Sequence, residues 1–233
     1  MERIDKVLSS ALKSSRADIK KLMKKQCVTV NGVRITAADA KVDPYNDEIR
    51  LNGRPIVYQK HIYIMMNKPK GVISASEDKS VPTVTDLVPK ELKRPNLFPA
   101  GRLDADTTGF VLITDDGDFA HRILSPKRHV EKTYHAVLEK ELNDGDAKRF
   151  ADGIRLRDGT VCLEGKLEAL GDRKVSVTIH EGKYHQVRRM FASLGNRVLE
   201  LKRVKIGGLP LDEKLKEGEC REITEDELEK ITQ

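Results

Sequence analysis

The chain has 233 residues, 38% of them hydrophobic and 34% charged, with 43 Lys/Arg against 37 Asp/Glu for a net charge of +6. That length and apolar content allow one large domain or two smaller ones. Three widely separated cysteines (Cys27, Cys162, Cys220) argue against a disulfide framework and a zinc site, and no apolar run approaches the length of a membrane span.

The basic excess is local. Residues 1–60 hold 13 Lys/Arg against 7 Asp/Glu, whereas residues 61–233 hold 30 of each. Such a footprint suits a polyanion, although a solvated helix face would produce the same count. Met1 to Asp5 run straight into helical periodicity, so no signal peptide is expected and the expected location is the cytoplasm.

Ile4, Val7, Leu8, Ala11 and Leu12 fall on one face of a first helix. Ser15, with Asp18 three residues on, reads as the N-cap of a second, whose apolar side is Ile19, Leu22 and Met23. On that helix Arg16, Lys20 and Lys24 recur every four residues as a basic ridge away from the core stripe. Val28-Thr29-Val30-Asn31-Gly32-Val33-Arg34-Ile35 is a hairpin pattern around Asn-Gly, and a strand over 48–51 closes at Asn52-Gly53. Together with the Arg3-Ile4-Asp5-Lys6 opening and the Ser15-Arg16 helix start, residues 1–58 resemble the S4 RNA-binding domain. That resemblance implies RNA-phosphate contacts from Arg3, Arg16, Lys20 and Lys24, which supply affinity more than sequence choice.

Residues 59–233 mix strands and helices as a second domain. An apolar strand over 62–66 runs into a Lys68-Pro69-Lys70-Gly71 turn, and 76–99, rich in Pro and charge, read as a loop. Strands are expected over 110–114, 133–138, 174–179 and 197–206, and helices near 118–124, 144–152, 185–194 and 225–231, the last with a Thr224/Glu227 capping box. Without a βαβ nucleotide fingerprint, this order predicts an α+β fold.

Between these elements lies Gly101-Arg102-Leu103-Asp104-Ala105-Asp106-Thr107-Thr108-Gly109, a tight polar loop directly before an apolar strand. Asp104, Asp106, Thr108 and Asp115 match a calcium loop in spacing, but position 12 is Asp and the flanking helices are missing. Asp104, Asp106 and Thr108 also match the Asp-x-Asp-x-Thr of haloacid-dehalogenase phosphatases, but there the strand precedes the motif and here it follows. A third reading needs one carboxylate and a neighbouring cation, acting as nucleophile or base without metal. A solvated acidic turn capping the strand is the plain alternative.

A second cluster, Glu181-Gly182-Lys183-Tyr184-His185-Gln186-Val187-Arg188-Arg189-Met190, opens a helix ended by Gly195, and 181–205 hold seven Lys/Arg against two Glu. Helical spacing puts Arg188 at the edge of the Val187/Met190/Phe191/Leu194 stripe, able to reach inward, and Arg189 toward solvent or a phosphate. An ordinary amphipathic helix with solvated arginines has the same pattern.

Taken in chain order, the Lys68-Pro69-x-Gly71 turn, the 101–117 loop, Glu131-Lys132-Thr133-Tyr134 and the 181–190 cluster, all behind an S4-like unit, resemble the RsuA family of pseudouridine synthases over nearly the whole chain. The resemblance implies an α+β catalytic domain with a central, mostly antiparallel sheet. It assigns Asp104 as the essential aspartate, Tyr134 as the ring packed on the target base and Arg188 as the cation paired with the aspartate. Arg102 would expel the target base and hold the backbone, and Lys68 and Arg189 join the RNA contacts. Tyr134 would otherwise read as a core strand tyrosine.

The implied reaction converts uridine to pseudouridine in ribosomal RNA: the N-glycosidic bond breaks, the uracil turns and C5 joins C1′. It needs no metal, nucleotide or redox cofactor, and the base must leave its stack to be reached. The carboxylate's step stays open among attack at C1′, addition to the base and removal of the C2′ proton. His185-Gln186 and Asp106-Thr107-Thr108 resemble the small-subunit branch. The expected target is therefore the uridine at position 516 of 16S rRNA, in the free RNA or in a small-subunit assembly intermediate, bound by a monomer. A 23S target and a non-catalytic S4-type binder are the alternatives.

Overall fold

Ile4, Val7 and Leu8, the apolar stripe of the first periodic segment, are fully buried in the computed structural model of the protein. The structure describes residues 1–12, 14–125, 128 and 130–232, and the chain divides into two units, Met1–Ile62 and Tyr63–Gln233. In the first unit, β1 (Glu2–Arg3) leads into α1 (Ile4–Ala11), followed by α2 (Arg16–Lys25), β2 (Val28–Val30), β3 (Val33–Arg34), β4 (Lys41–Val42), β5 (Ile49–Leu51) and β6 (Arg54–Pro55).

Ser15 caps α2, its hydroxyl accepting the Asp18 N–H at 3.2 Å. The β2–β3 hairpin turns at Asn31 and Gly32, both left-handed (φ 50° and 81°), as a two-residue turn matched to strand twist requires. The strands order as β3-β2-β5-β6, with β1 paired to β4. Ile19 and Met23 join Ile4, Val7, Leu8, Val28, Val42 and Ile49 in one core. The α2 stripe thus faces inward, and Arg16, Lys20 and Lys24 stay exposed.

The second unit contains β7 (Tyr63–Lys68), β8 (Phe98–Pro99), β9 (Thr108–Thr114), α3 (Gly117–Leu124), β10 (Lys132–Leu138), α4 (Asp146–Ala151), β11 (Gly165–Gly171), β12 (Lys174–Ile179), α5 (Gln186–Ser193), β13 (Val198–Ile206), β14 (Leu209–Pro210), β15 (Cys220–Glu222) and α6 (Glu225–Thr232). Its nine-stranded sheet runs β11-β12-β10-β13-β9-β7-β15, with β14 on β13 and β8 on β9. Every pairing is antiparallel except β9 with β13. All seven residues of β9 are buried, which explains its unbroken β-branched and apolar run: it lies between two neighbours and is covered on both faces.

Helices α3 and α6 pack Phe119, Ala120, Ile123 and Ile231 against Met65, Phe110, Leu112 and Ile206 of the sheet. Asp116 caps α3 through the Phe119 N–H at 2.9 Å and accepts the Tyr63 hydroxyl at 2.6 Å, so the acidic pair after β9 includes a structural cap. Thr224 and Glu227 exchange side-chain and backbone bonds at the start of α6, and Glu227 also binds Arg221 of β15. Residues 76–97 hold no regular strand or helix, but Val84, Val88 and Leu97 are buried and Asp86 ties Thr83 by its backbone N–H and hydroxyl.

Candidate active site

The polar loop at residues 100–107 connects β8 to β9, and three separate tethers hold it from behind. Ser74 bonds both the N–H and the carbonyl of Leu103, at 3.0 and 3.2 Å. The Gly71 N–H donates to the Ala105 carbonyl at 2.8 Å. Lys68, at the end of β7, is fully buried and sends its ammonium to the carbonyls of Pro69, Ala105 and Thr107 at 2.9, 3.3 and 2.9 Å. Burial pushes Lys68 down to about 8, while Asp106 and Asp104 pull it back up. Lys68 is therefore not an RNA contact, as the family motif had suggested. Its charge is spent inside the protein, because the loop folds over it and leaves carbonyls as its acceptors.

Within the loop the Thr107 N–H donates to the Asp104 carbonyl at 3.1 Å, closing a turn. Asp104 and Thr107 then line a narrow cleft of about 70 Å³ with Arg102, Tyr134, His185 and Val187. Ordinary small-molecule pockets hold roughly 300–1,000 Å³, so a base entering here must displace side chains at the mouth. Tyr134 comes from the middle of β10, opposite Val177 and Arg203, and is 8% exposed. Thr107 is 1% exposed and its hydroxyl has no hydrogen-bond partner. Arg102 is exposed at the rim.

The far wall is the turn before α5. Glu181, 9% exposed, accepts the Leu163 N–H at 2.8 Å and the Gln186 amide at 2.9 Å, and it pairs with Lys183. Gln186 returns an acceptor to the Lys183 N–H at 2.9 Å. This buried network turns the chain so that His185 takes a left-handed conformation (φ 47°) and points its Nε2 at Asp104 Oδ1, 3.4 Å away. Sequence spacing identified this segment but did not single out His185 as the neighbour of the aspartate.

The expected Asp104–Arg188 pair is not formed. Arg188 Nη2 lies 2.7 Å from Asp106 Oδ2, and its Nη1 donates to the Val198 carbonyl at 3.1 Å. The turn closed by Thr107 separates the two carboxylates: Asp104 meets His185 at the N-terminus of α5, and Asp106 meets Arg188 within the helix. Arg189, expected toward solvent or a phosphate, pairs with Asp158 and donates to the Tyr184 carbonyl. Arg3 likewise makes a two-pronged contact with the buried Asp5 at 3.1 and 2.9 Å, which ties β1 to α1. Among the described residues no group of three or more His, Cys, Asp or Glu side chains is arranged to hold a metal ion.

The site thus places the Asp104 carboxylate and the Tyr134 ring on one narrow cleft, on a mostly antiparallel sheet. Comparisons with known proteins agree. The family model for RNA pseudouridylate synthase matches residues 62–193, and the S4 domain model matches residues 2–49. An uncharacterized RNA pseudouridine synthase of Bacillus subtilis is 43% identical over 230 residues, spanning 97% of this chain and 96% of its own. Ribosomal small subunit pseudouridine synthase A of Escherichia coli is 41% identical over 231 residues, 98% and 99% of the two chains. The crystal structure of a pseudouridylate synthase superposes with a TM-score of 0.70 at 40% identity, covering 99% of this chain and 100% of that one. The chain belongs to the RNA pseudouridylate synthase family. It is an RNA-modifying isomerase that carries an S4 domain ahead of its catalytic domain.

Proposed function

We propose that this enzyme isomerises one uridine of 16S ribosomal RNA to pseudouridine, the uridine at position 516, with Asp104 as the catalytic carboxylate. The observation that carries the reading is the convergence of Asp104 and Tyr134, thirty residues apart in sequence, in one cleft. A flipped uracil stacks on the Tyr134 ring, which offsets part of the base stacking lost from the RNA. The Asp104 carboxylate then faces the sugar. The N1–C1′ bond breaks, the uracil turns, C5 bonds C1′, and the proton lost from C5 is balanced by one gained at N1.

Arg102 at the rim holds the backbone beside the target, and Arg16, Lys20 and Lys24 supply the phosphate contacts of the S4 unit. The small-subunit target draws support from the Escherichia coli relative, whose name carries that substrate and which matches almost end to end. The enzyme acts in the cytoplasm as a monomer, on free rRNA or on a small-subunit assembly intermediate. Mapping pseudouridines in rRNA from cells with and without the gene tests activity and target together. Loss of the 516 pseudouridine supports the reading. A lost position in 23S rRNA overturns the target, and an unchanged map in both RNAs leaves a non-catalytic binder.

A further inference from the structure

We propose that the exposed face of the Tyr184 ring is a stacking platform for the nucleobase next to the target uridine. The inference rests on reading the Asp104 cleft as the uridine site. Tyr184 is 72% exposed although it sits between the buried network of Glu181 and Gln186 and the buried Val187. One face of its ring is covered by His185, with centroids 3.9 Å apart and planes 18° from parallel. The same imidazole lines the cleft and stands 3.4 Å from Asp104. The Tyr184 ring is therefore one stacking layer away from the catalytic pocket, with its other face open.

The ring is also preorganised. Its carbonyl accepts Arg189 Nη1 at 3.2 Å, and the Lys183 carbonyl accepts the Gln186 N–H at 3.1 Å, so the backbone on both sides is fixed. His185 holds its left-handed conformation without being glycine, which strains the backbone. Glycine there would relieve the strain but would remove the ring that joins Asp104 to Tyr184. The other strongly exposed aromatic side chain among the described residues, Tyr45, meets Tyr58 edge-on at 5.7 Å and lies in the S4 unit.

A base is the guest that fits. Removing one nucleotide from a stacked strand leaves its neighbour with an uncovered face, and an aromatic side chain is the usual replacement. Arg102, exposed at the same cleft, suits the phosphate between the two nucleotides. Every nucleobase offers a π-face, so the platform adds affinity and positioning without selecting the neighbour's identity.

The test compares wild type, Tyr184→Phe and Tyr184→Leu on rRNA from cells lacking the gene, which also identifies the modified uridine. An RNA fragment around that uridine is then made with 2-aminopurine on either side of it. Wild type and Tyr184→Phe should quench one of the two probes and share a KM within about twofold. Tyr184→Leu should lose that quenching and raise KM about tenfold with kcat little changed, as expected for the loss of one base stack. Equal thermal midpoints for all three confirm that the exposed substitution leaves the fold intact. If Tyr184→Leu quenches and turns over as wild type does, the platform is overturned while the uridine site stands. If wild type converts no uridine, the reading of the cleft falls and the platform falls with it.

Discussion

Arg188 pairs with Asp106 at 2.7 Å, and Asp104, two residues earlier in the same loop, faces His185 instead. The two carboxylates thus have separate partners. Asp106 is the more exposed, at 65% of its side chain, while Arg188 is 19% exposed and keeps its bond to the Val198 carbonyl when Asp106 is neutralised. If Asp104 is the catalytic carboxylate, Asp106→Asn should keep single-turnover conversion measurable, with a loss far smaller than that of Asp104→Asn, which should abolish conversion and still bind RNA. Equal losses in the two variants would move the catalytic role to Asp106.

Lys68 holds the loop from inside. Lys68→Met removes an ammonium shared by three carbonyls and should cost about 2–4 kcal/mol of stability, with turnover falling because Asp104 loses its mount. The pH dependence has a definite sign. Lys68 titrates near 8 in the folded protein against 10.5 for the free side chain, so the folded state binds its proton less readily. The cost of burying that charge is fully present below about pH 8 and fades as pH rises toward 10.5. Wild type should gain stability relative to Lys68→Met between pH 7.5 and 9.5, measured by urea unfolding in matched buffers. A constant difference across that interval would mean that Lys68 keeps an ordinary affinity for its proton.

Features set by local chemistry were legible in the sequence. The Asn31-Gly32 hairpin and the caps at Ser15 and Thr224 form as expected, because each depends on residues only a few positions apart. The strand β11 has no strand signal in the sequence: Lys166, Leu167, Glu168, Ala169 and Leu170 are helix formers, and pairing with β12 holds them extended. Asp104 and Tyr134 could be picked as a pair from family motifs, but the carboxylate's neighbours could not. Which of two aspartates meets Arg188 depends on the turn that Thr107 closes, and a lysine beside proline looks like surface until the loop is seen to cover it. Local pattern marks where chemistry sits, while its charge partners are set by tertiary contacts.

Gly109 is required by the junction where β9 runs parallel to β13. Its φ is +98°, and a Cβ there would lie 2.2 Å from the Arg203 carbonyl oxygen and 2.8 Å from its nitrogen. Both obstacles are backbone in the centre of the sheet, so neither can yield cheaply. Gly109→Ala should destabilise the catalytic domain by more than about 4 kcal/mol, seen as a large fall in thermal midpoint or as loss of soluble protein. A Gly71→Ala variant is a milder control, since its Cβ would meet nothing within 4 Å although its φ of +81° still disfavours a side chain. Equal midpoints for the two would show that the sheet can open at β13.

The cations of the S4 unit differ in what they already bind. Lys20 and Lys24 are exposed on α2 outside its buried Ile19/Met23 stripe, while Arg3 is bonded to Asp5. Asp5 is buried and its carboxyl is held below the usual range chiefly by the Arg3 hydrogen bonds, so removing Arg3 strands a buried acid. Lys20→Gln and Lys24→Gln should each weaken rRNA binding and lower the slope of log affinity against log salt by about one phosphate's worth, with the melting curve unchanged. Arg3→Gln should show the converse: a lower melting temperature for the S4 unit, and a salt slope close to wild type. Filter binding of rRNA from 50 to 200 mM salt, read beside thermal melts of the same proteins, distinguishes the two. If Arg3→Gln flattened the slope and spared the melt, Arg3 would have to leave Asp5 for a phosphate in the complex.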